Sequence, residues 1–226
     1  KFDYQGVVPV NWTQKDILKT QEESSWHNTE VIALFAGIAG LFHDFGKANK
    51  LFQQKLNPKL KGKNFEPYRH EWVSLRLFQA FVSHQSDQEW LQHLSDVSEK
   101  DEPIILEKLI KDSPTTINNP LSKLPPSAKL VAWLIVSHHK LPVYPVDRKG
   151  NAPSYEYINQ WLDKQFDSLW NSVNSFDDWD EKTRSDNWIF PMGTPFLSSA
   201  WRDKAQKLAE RTLSCQGFTE HEWFNQ

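Results

Sequence analysis

An apolar run over residues 31–42 constrains the fold of this chain more than any other feature. Together with its flanks it predicts a central helix over about residues 28–44, in which Gly37 and Gly40 leave room for a neighbouring helix to approach closely. The run is well short of the roughly 20 apolar residues that a helix needs to cross a bilayer. Because the N-terminus also lacks a signal-peptide pattern, we predict no membrane segment.

Apolar residues recur at helical spacing through most of the remaining chain, so the sequence predicts an all-α helical bundle. Two proline-rich segments, 112–126 and 141–153, predict long loops between helices. The acidic stretch 177–181 is interpreted as a solvated loop. Further helices are expected at about 47–56, 67–84, 87–97, 103–111, 127–139, 154–170 and 198–214.

Length and composition limit the class of protein. The 226 residues suffice for one sizeable core and no low-complexity linker divides them, so we predict one domain over 1–226. The formal net charge of -3 gives no global field that would attract nucleic acid, so any such affinity must be local. The single cysteine, Cys215, excludes an internal disulfide and a cysteine-rich zinc site and suits a reducing, cytoplasmic compartment. Because the chain starts at Lys1 without a methionine, we expect a fragment of a longer multidomain protein.

Histidines stand at the ends of three predicted helices. The pair His43-Asp44 closes the central helix, His70 begins another, and His138-His139 ends a third. A His-Asp pair alone is weak evidence, since a chain of this composition contains one by chance in about half of cases. Two polar groups at a helix end can also simply be hydrogen-bonded to their neighbours. Three helix ends that all offer imidazoles favour a metal site instead.

The ligand types indicate which metals and which chemistry such a site would support. Imidazole and carboxylate together suit Mn, Fe, Co, Ni or Zn, whereas Mg prefers a nearly all-oxygen shell. Asp44 could bridge two ions about 4 Å apart, which would activate a water and stabilise a phosphoryl transition state. Lys47 lies on the same face if the helical turn continues, where it could contact a phosphate oxygen. Its alternative role is that of a solvated lysine. The chemistry predicted is hydrolysis of phosphate esters.

The string His-Asp-Phe-Gly-Lys at 43–47, with His70 and His138-His139 downstream, resembles the HD superfamily of metal-dependent phosphohydrolases. The doubled histidine after a long gap is similar to the HD nuclease domain of the CRISPR-associated helicase-nuclease of type I systems. The strings Ala-Gly-Leu-Phe before the pair and Tyr-Arg-His-Glu-Trp around His70 are most similar to the type I-F form. These motifs cover about residues 27–140.

This resemblance implies an HD-domain helical bundle and an endo- or exonuclease that degrades single-stranded DNA in CRISPR interference. It implies that His43 and Asp44 bind metal, that His70, His138 and His139 complete the shell of a second ion, and that Asp44 and Lys47 act in catalysis. It also implies two divalent transition-metal ions (Mn, Fe, Co or Ni, with Mg an alternative). The implied partners are attached Cas2-like and helicase domains, a guide-RNA surveillance complex and Cas1.

Two of the family's metal ligands have no obvious counterpart in this sequence. His27 precedes the pair, but about 16 residues of unbroken helix would hold it about 24 Å away. It reaches the site only if the chain bends at a glycine, and otherwise it is a structural residue at the helix entry. No Ala-Asp pair occurs on a late helix, so the final aspartate is expected either beyond Gln226 or at Asp203.

Residues 47–63 hold six lysines and no acid, which makes them a local basic patch in a mildly acidic chain. A solvated loop is the default interpretation of such a patch. Because it directly follows the His-Asp pair, it also predicts a track for a DNA backbone, with Lys55, Lys59 and Lys61 as the DNA-binding residues.

Three functions are compatible with these residues. The first is a two-metal nuclease that acts on single-stranded DNA. The second is an HD phosphohydrolase that acts on a small nucleotide, which needs the same metals but a closed pocket. The third is a catalytically incomplete HD module that only docks against helicase or surveillance-complex partners, and the missing late aspartate is its main support. Competition between nucleotides and DNA would separate the first two.

Overall fold

The computed structural model describes residues 29–57, 66–113, 119–139 and 179–215. These ranges contain helices and no strand, which confirms the predicted all-α class. Short 3-10 helices span Phe45–Ala48 and Pro195–Leu197. The α-helices are α1 (Thr29–Phe42), α2 (Lys50–Lys55), α3 (His70–Val82), α4 (Asp87–Ser95), α5 (Asp101–Glu107), α6 (Pro126–Ser137), α7 (Glu181–Asp186) and α8 (Ser199–Ser214).

Helix α1 is the central helix that the apolar run predicts, and it packs against α3, α6 and α8. Its apolar side chains fill the core, since no more than 4% of the surface is exposed at Val31, Leu34, Phe35, Ile38 and Phe42. By length and apolar composition alone, the helical stretch Glu30–Ala48 would pass for a membrane span. In the structure 44% of it is buried, and its buried side chains belong to the hydrophobic core.

The two glycines of α1 have different surroundings. A Cβ atom at Gly37 would lie 3.0 Å from Cδ2 of Leu208, so the missing side chain lets α8 approach. A Cβ atom at Gly40 would meet nothing within 4 Å, and Gly40 is exposed. The expectation of close helix packing is therefore correct for Gly37 and wrong for Gly40.

Aromatic rings fix the chain on both sides of His43-Asp44. The ring of Phe42, at the end of α1, lies 4.9 Å from Phe78 and 5.5 Å from Trp201, measured between centroids. Phe45, at the start of the first 3-10 helix, lies 5.0 Å from both Phe196 and Trp201. Since Phe42 and Phe45 are at most 1% exposed, they anchor the turn while the two residues between them remain accessible.

A buried ion pair ties α3 to the segment that follows α5. Arg76 donates from Nε to Oδ2 of Asp112 at 2.8 Å and from Nη2 to Oδ1 at 2.6 Å, and neither side chain is exposed. Trp72 Nε1 donates to the same carboxylate at 2.6 Å, and the Tyr68 hydroxyl donates to the Asp112 carbonyl at 2.5 Å. Helix α3 is therefore held by charge-assisted hydrogen bonds as well as by apolar contacts.

Asp87 of α4 caps the start of α6. Its carboxylate accepts hydrogen bonds from the backbone N–H groups of Ser127 at 2.9 Å and Ala128 at 3.1 Å. These first-turn N–H groups have no partner within their own helix, and the N-cap residue of α6, Pro125, supplies no side-chain hydrogen bond. The position of α6 is thus set by a residue 40 positions earlier in the chain.

The helix after the His-Asp pair begins later than predicted. Residues 45–48 form a 3-10 helix, and α2 starts only at Lys50. The cause is Asn49, a fully buried residue whose side chain accepts a hydrogen bond from Phe52 N at 2.8 Å and so begins a new helix. Its Nδ2 group also donates to the Gly46 carbonyl at 2.7 Å, which closes the turn.

Part of the acidic stretch that was predicted as a loop belongs to a helix. Asp180 accepts a hydrogen bond from Thr183 N at 2.6 Å and caps α7. The predicted loop 141–153 and helix 154–170 lie outside the described residues. Apart from α2 and α7, which have no buried residue, the described α-helices share one hydrophobic core. A single domain over 1–226 stays a prediction.

Candidate metal centre

The His-Asp pair leaves the core where α1 ends. His43 N still donates to the Ala39 carbonyl at 2.9 Å, and the ring Nδ1–H donates to the Gly40 carbonyl at 2.8 Å. This second bond leaves Nε2 of the ring with its lone pair, 3.2 Å from Oδ2 of Asp44. Since 38% of His43 and 40% of Asp44 are exposed, both side chains face outward from the helix end.

The first residue of α3 brings a second imidazole to Asp44. His70 Nε2 lies 3.5 Å from Oδ1 of Asp44, and only 14% of the His70 side chain is exposed. The other ring nitrogen, Nδ1, lies 3.3 Å from the buried Glu71 carboxylate. A carboxylate at this position orients an imidazole ligand and raises its basicity.

The end of α6 brings two more imidazoles. His138 Nδ1–H donates to the Ile135 carbonyl at 2.7 Å, and its Nε2 lies 3.9 Å from Oδ1 of Asp44. The ring of His139 lies 4.1 Å from that of His138 and 5.2 Å from that of His70, measured between centroids. Three helix ends therefore converge on one carboxylate.

Two groups of side chains in the described ranges can each hold a metal ion. One is His43, Asp44 and His138, and the other is His70, His138 and His139; within each group the ligand atoms lie within 4.8 Å of one another. His70 Nε2 is buried in this cluster and makes no hydrogen bond of acceptable geometry. Unsatisfied buried polar atoms are rare in proteins, and a cation would satisfy this one. The residues present thus fit a metal ion.

The electrostatics keep these groups in the protonation states that bind cations. Burial lowers the pKa of His70 to about 4, and it also lowers the pKa of His138, so both rings are neutral near pH 7. Burial alone would raise the pKa of Asp44, but the Lys47 hydrogen bond and the nearby positive charges outweigh it and lower that pKa. An ionised carboxylate among neutral imidazoles is a typical metal-binding set.

Comparison with known proteins agrees with this geometry. The family model described as "Cas3, HD domain" matches residues 5–222, almost the whole chain. The chain belongs to the Cas3 HD domain family. This membership confirms the resemblance that the motifs indicate and the HD-type helical bundle.

Two relatives carry the name "CRISPR-associated nuclease/helicase Cas3 subtype I-F/YPEST". The protein from Pectobacterium atrosepticum is 46% identical over 223 residues, and the protein from Pseudomonas aeruginosa is 40% identical over 221 residues. Each comparison covers 96% of this chain but only 20% and 19% of the relative. The chain thus spans about a fifth of the length of these Cas3 proteins. The Cas2-like fusion stays a prediction.

Lys47 is beside the Asp44 carboxylate, on the side that the sequence predicts. Its Nζ atom donates to Oδ2 at 2.9 Å and lies 2.8 Å from Oδ1. The 3-10 turn brings the two side chains together at a separation of three residues, and Gln53 Nε2 fixes the turn by donating to the Lys47 carbonyl at 2.7 Å. In this HD domain the ammonium group therefore faces the same space as the candidate ligands.

Two other candidate residues that the structure describes, Lys55 and Asp203, are not in this cluster. Lys55 is exposed, and its Nζ atom lies 3.7 Å from the Glu66 carboxylate. Asp203 is exposed on α8, and it belongs to neither group of candidate ligands. His27, Lys59 and Lys61 lie outside the described residues.

Sequence reasoning missed two residues that support the candidate ligands. Glu71 reads as an ordinary acid in the first turn of a helix, yet it is 1% exposed and contacts His70. The Ser74 hydroxyl accepts a hydrogen bond from Gly46 N at 2.8 Å and ties the His-Asp turn to α3. The only sequence signal for Glu71 is its position next to a histidine, and nothing in the sequence indicates Ser74.

We expect Gly46→Ala to lower the free energy of unfolding by about 1 to 3 kcal/mol. A Cβ atom at Gly46 would lie 2.0 Å from the carbonyl oxygen of His70, so either the turn or the start of α3 must move. Chemical denaturation measures the loss. The matched control is Gly40→Ala, which we expect to be neutral or stabilising by up to about 1 kcal/mol, because nothing contacts its Cβ atom and alanine favours helix. Equal losses in both variants would contradict the role of the close contact.

Proposed function

We propose that this chain is a metal-dependent nuclease that degrades single-stranded DNA in CRISPR interference by two-metal hydrolysis of phosphodiester bonds, as an endo- or exonuclease. The observation that carries the proposal is the position of Asp44. Its carboxylate lies next to His43, His70 and His138, which come from the two groups of candidate ligands. A carboxylate in this position could bridge two ions about 4 Å apart, as in two-metal hydrolysis.

The residues divide into ligands and supports. His43 and Asp44 would hold metal, and His70, His138 and His139 would complete the shell of a second ion. His27 is a further candidate. The imidazole-rich set favours Mn, Fe, Co or Ni, with Mg an alternative. Such ions would supply positive charge at the phosphate and lower the pKa of a water molecule to the range in which it attacks a phosphorus atom.

The surrounding residues place a phosphodiester and hold these ligands. Lys47 offers an ammonium group next to Asp44, where it can bind a non-bridging phosphate oxygen and neutralise part of its charge. Glu71 keeps the His70 ring oriented through Nδ1. The outward-facing side chains of His43 and Asp44 favour a polymer substrate over a small nucleotide, which would need an enclosed site.

The proposal also includes the attached domains and partners that a longer Cas3 protein would have. The relatives are named nuclease/helicase, so we propose that a helicase domain attached to this chain supplies the DNA strand. We further propose an attached Cas2-like domain, a guide-RNA surveillance complex and Cas1 as partners, and a cytoplasmic location. Lys55, Lys59 and Lys61 are proposed to bind the DNA backbone.

We expect the protein to cut circular single-stranded DNA when Mn, Co, Ni or Mg is added. Cutting should stop when a chelator removes the metal and should return when an excess of the ion is restored, because the ligands of the site come from the chain and remain in place. Gel analysis of the circular and linear forms measures the reaction.

The alternatives give different outcomes in the same experiment. Hydrolysis of a small nucleotide without cleavage of DNA would indicate a nucleotide phosphohydrolase. A folded, metal-loaded protein that cuts neither substrate but binds helicase or surveillance-complex partners would indicate a docking module. Either outcome would refute the nuclease.

A further inference from the structure

Phe52 is an aromatic residue in an unusual place. It lies on α2, a helix that has no buried residue, and its side chain is only partly covered. The centroid of its ring lies 5.4 Å from the ring of His70, in an edge-on arrangement. A partly exposed phenylalanine is thus in direct contact with a candidate metal ligand.

Two ammonium groups flank this ring. Lys47 Nζ lies 5.9 Å and Lys55 Nζ lies 5.5 Å from the centroid of Phe52. At partly exposed sites such cation–π contacts are weak, so a ligand that offers both negative charge and a flat apolar surface can replace them. The arrangement therefore combines one stacking surface with two cations at the edge of the candidate metal centre.

A single-stranded nucleic acid has the complementary chemistry. Its unpaired bases stack on aromatic side chains irrespective of sequence, and its phosphates bind lysines. A base in a duplex is already stacked and paired, so it cannot use the same ring without being unstacked. A stacking residue beside a nuclease centre thus favours unpaired over paired strands.

We propose that Phe52 is a stacking platform for an unpaired base next to the cleaved phosphodiester, with Lys47 and Lys55 on the flanking phosphates, and that it determines the preference for single strands. This rests on the proposed nuclease function of the same site. Phe52 is a specificity residue that contacts the substrate. The competing role is structural, in which the ring only covers His70 and holds it against α2.

The two roles differ in whether the substrate needs a base. The variants are Phe52→Leu, which keeps apolar contact with His70 but cannot stack, and Phe52→Tyr, which keeps the ring. The two substrates are a thymidine oligonucleotide and an abasic oligonucleotide of the same length, which has phosphates but no bases. Fluorescence anisotropy with chelator present measures binding of each substrate, and cleavage with added Mn measures KM and kcat.

We expect Phe52→Leu to weaken binding of the thymidine oligonucleotide, and to raise its KM, by about tenfold. The same variant should bind the abasic oligonucleotide as well as the native protein does, and Phe52→Tyr should resemble the native protein with both substrates. An equal loss with both substrates would show the structural role, and no loss with either would overturn the platform.

The readouts also separate this inference from the proposed function. If Phe52→Leu selectively loses binding of the thymidine oligonucleotide while the native protein cleaves no DNA, the platform is supported and the nuclease is refuted. If the native protein cleaves DNA and Phe52→Leu cleaves it equally well, the nuclease is supported and the platform is refuted.

Discussion

Replacing Asp44 with asparagine should reduce the rate of single-stranded DNA cleavage at least about a hundredfold. Asp44 belongs to one group of candidate ligands, and its carboxylate lies 3.5 Å from His70 of the other. It is ionised near neutral pH, because the Lys47 hydrogen bond and the charges around it outweigh burial and lower its pKa. Asparagine has nearly the same shape but carries no negative charge, so it cannot balance two cations. We therefore expect weaker metal binding as well as slower cleavage, and isothermal titration with Mn measures the first effect.

The Asp44 variant should remain folded, because 40% of this side chain is exposed and its removal leaves no cavity in the core. Thermal unfolding checks this. Asp96→Asn is a matched control, since Asp96 is an exposed aspartate at the end of α4 that accepts a hydrogen bond from Gln92. It should cleave DNA at the native rate. Full activity of a correctly folded Asp44→Asn protein would rule out the shared-carboxylate centre.

Replacing Asp112 with alanine should have the largest effect on stability, a loss of about 3 to 5 kcal/mol. The carboxylate accepts two hydrogen bonds from Arg76 and one from Trp72, and all of these groups are buried. Its removal leaves the Arg76 guanidinium without its buried counter-charge. For a chain of this size the melting temperature should fall by about 6 to 20 °C, which differential scanning calorimetry measures.

A double variant tests the reason for this loss. Combining Asp112→Ala with Arg76→Met removes both charges, so the double variant should be more stable than Asp112→Ala alone. Asp112→Asn, which keeps an acceptor oxygen for Trp72, should lie between the native protein and the alanine variant. If the double variant were the least stable of the three, packing rather than the unpaired charge would explain the loss.

The sequence predicts the main helices because each one that forms the core has apolar residues at helical spacing. Helices α1, α3 and α6 are visible in this way, and so are the histidines at their ends. The convergence of His43, His70 and His138 on one carboxylate follows from how three helices pack, which periodicity does not describe. The motif resemblance supplied that part of the prediction.

The details that periodicity misses depend on polar contacts between distant residues. Helix α7 has no buried residue, and it is held by its Asp180 cap and by an ion pair of 2.9 Å between Lys50 and Asp186. The burial of Glu71 depends on the packing of α3 in the folded chain. Phe52 is a further case, because an apolar residue lies only partly covered beside the candidate metal centre, and periodicity does not place it there.

The cap that Asp87 places on α6 has a consequence for how this chain can change over evolution. One end of α6 is fixed by that carboxylate, and the other end presents His138 and His139. One inserted or deleted residue would turn the histidine end by about 100° and shift it by about 1.5 Å. Substitutions along the exposed side of α6 are therefore tolerable, whereas changes in its length are not. The fold therefore fixes the number of residues between Ser127, where Asp87 caps the helix, and His138.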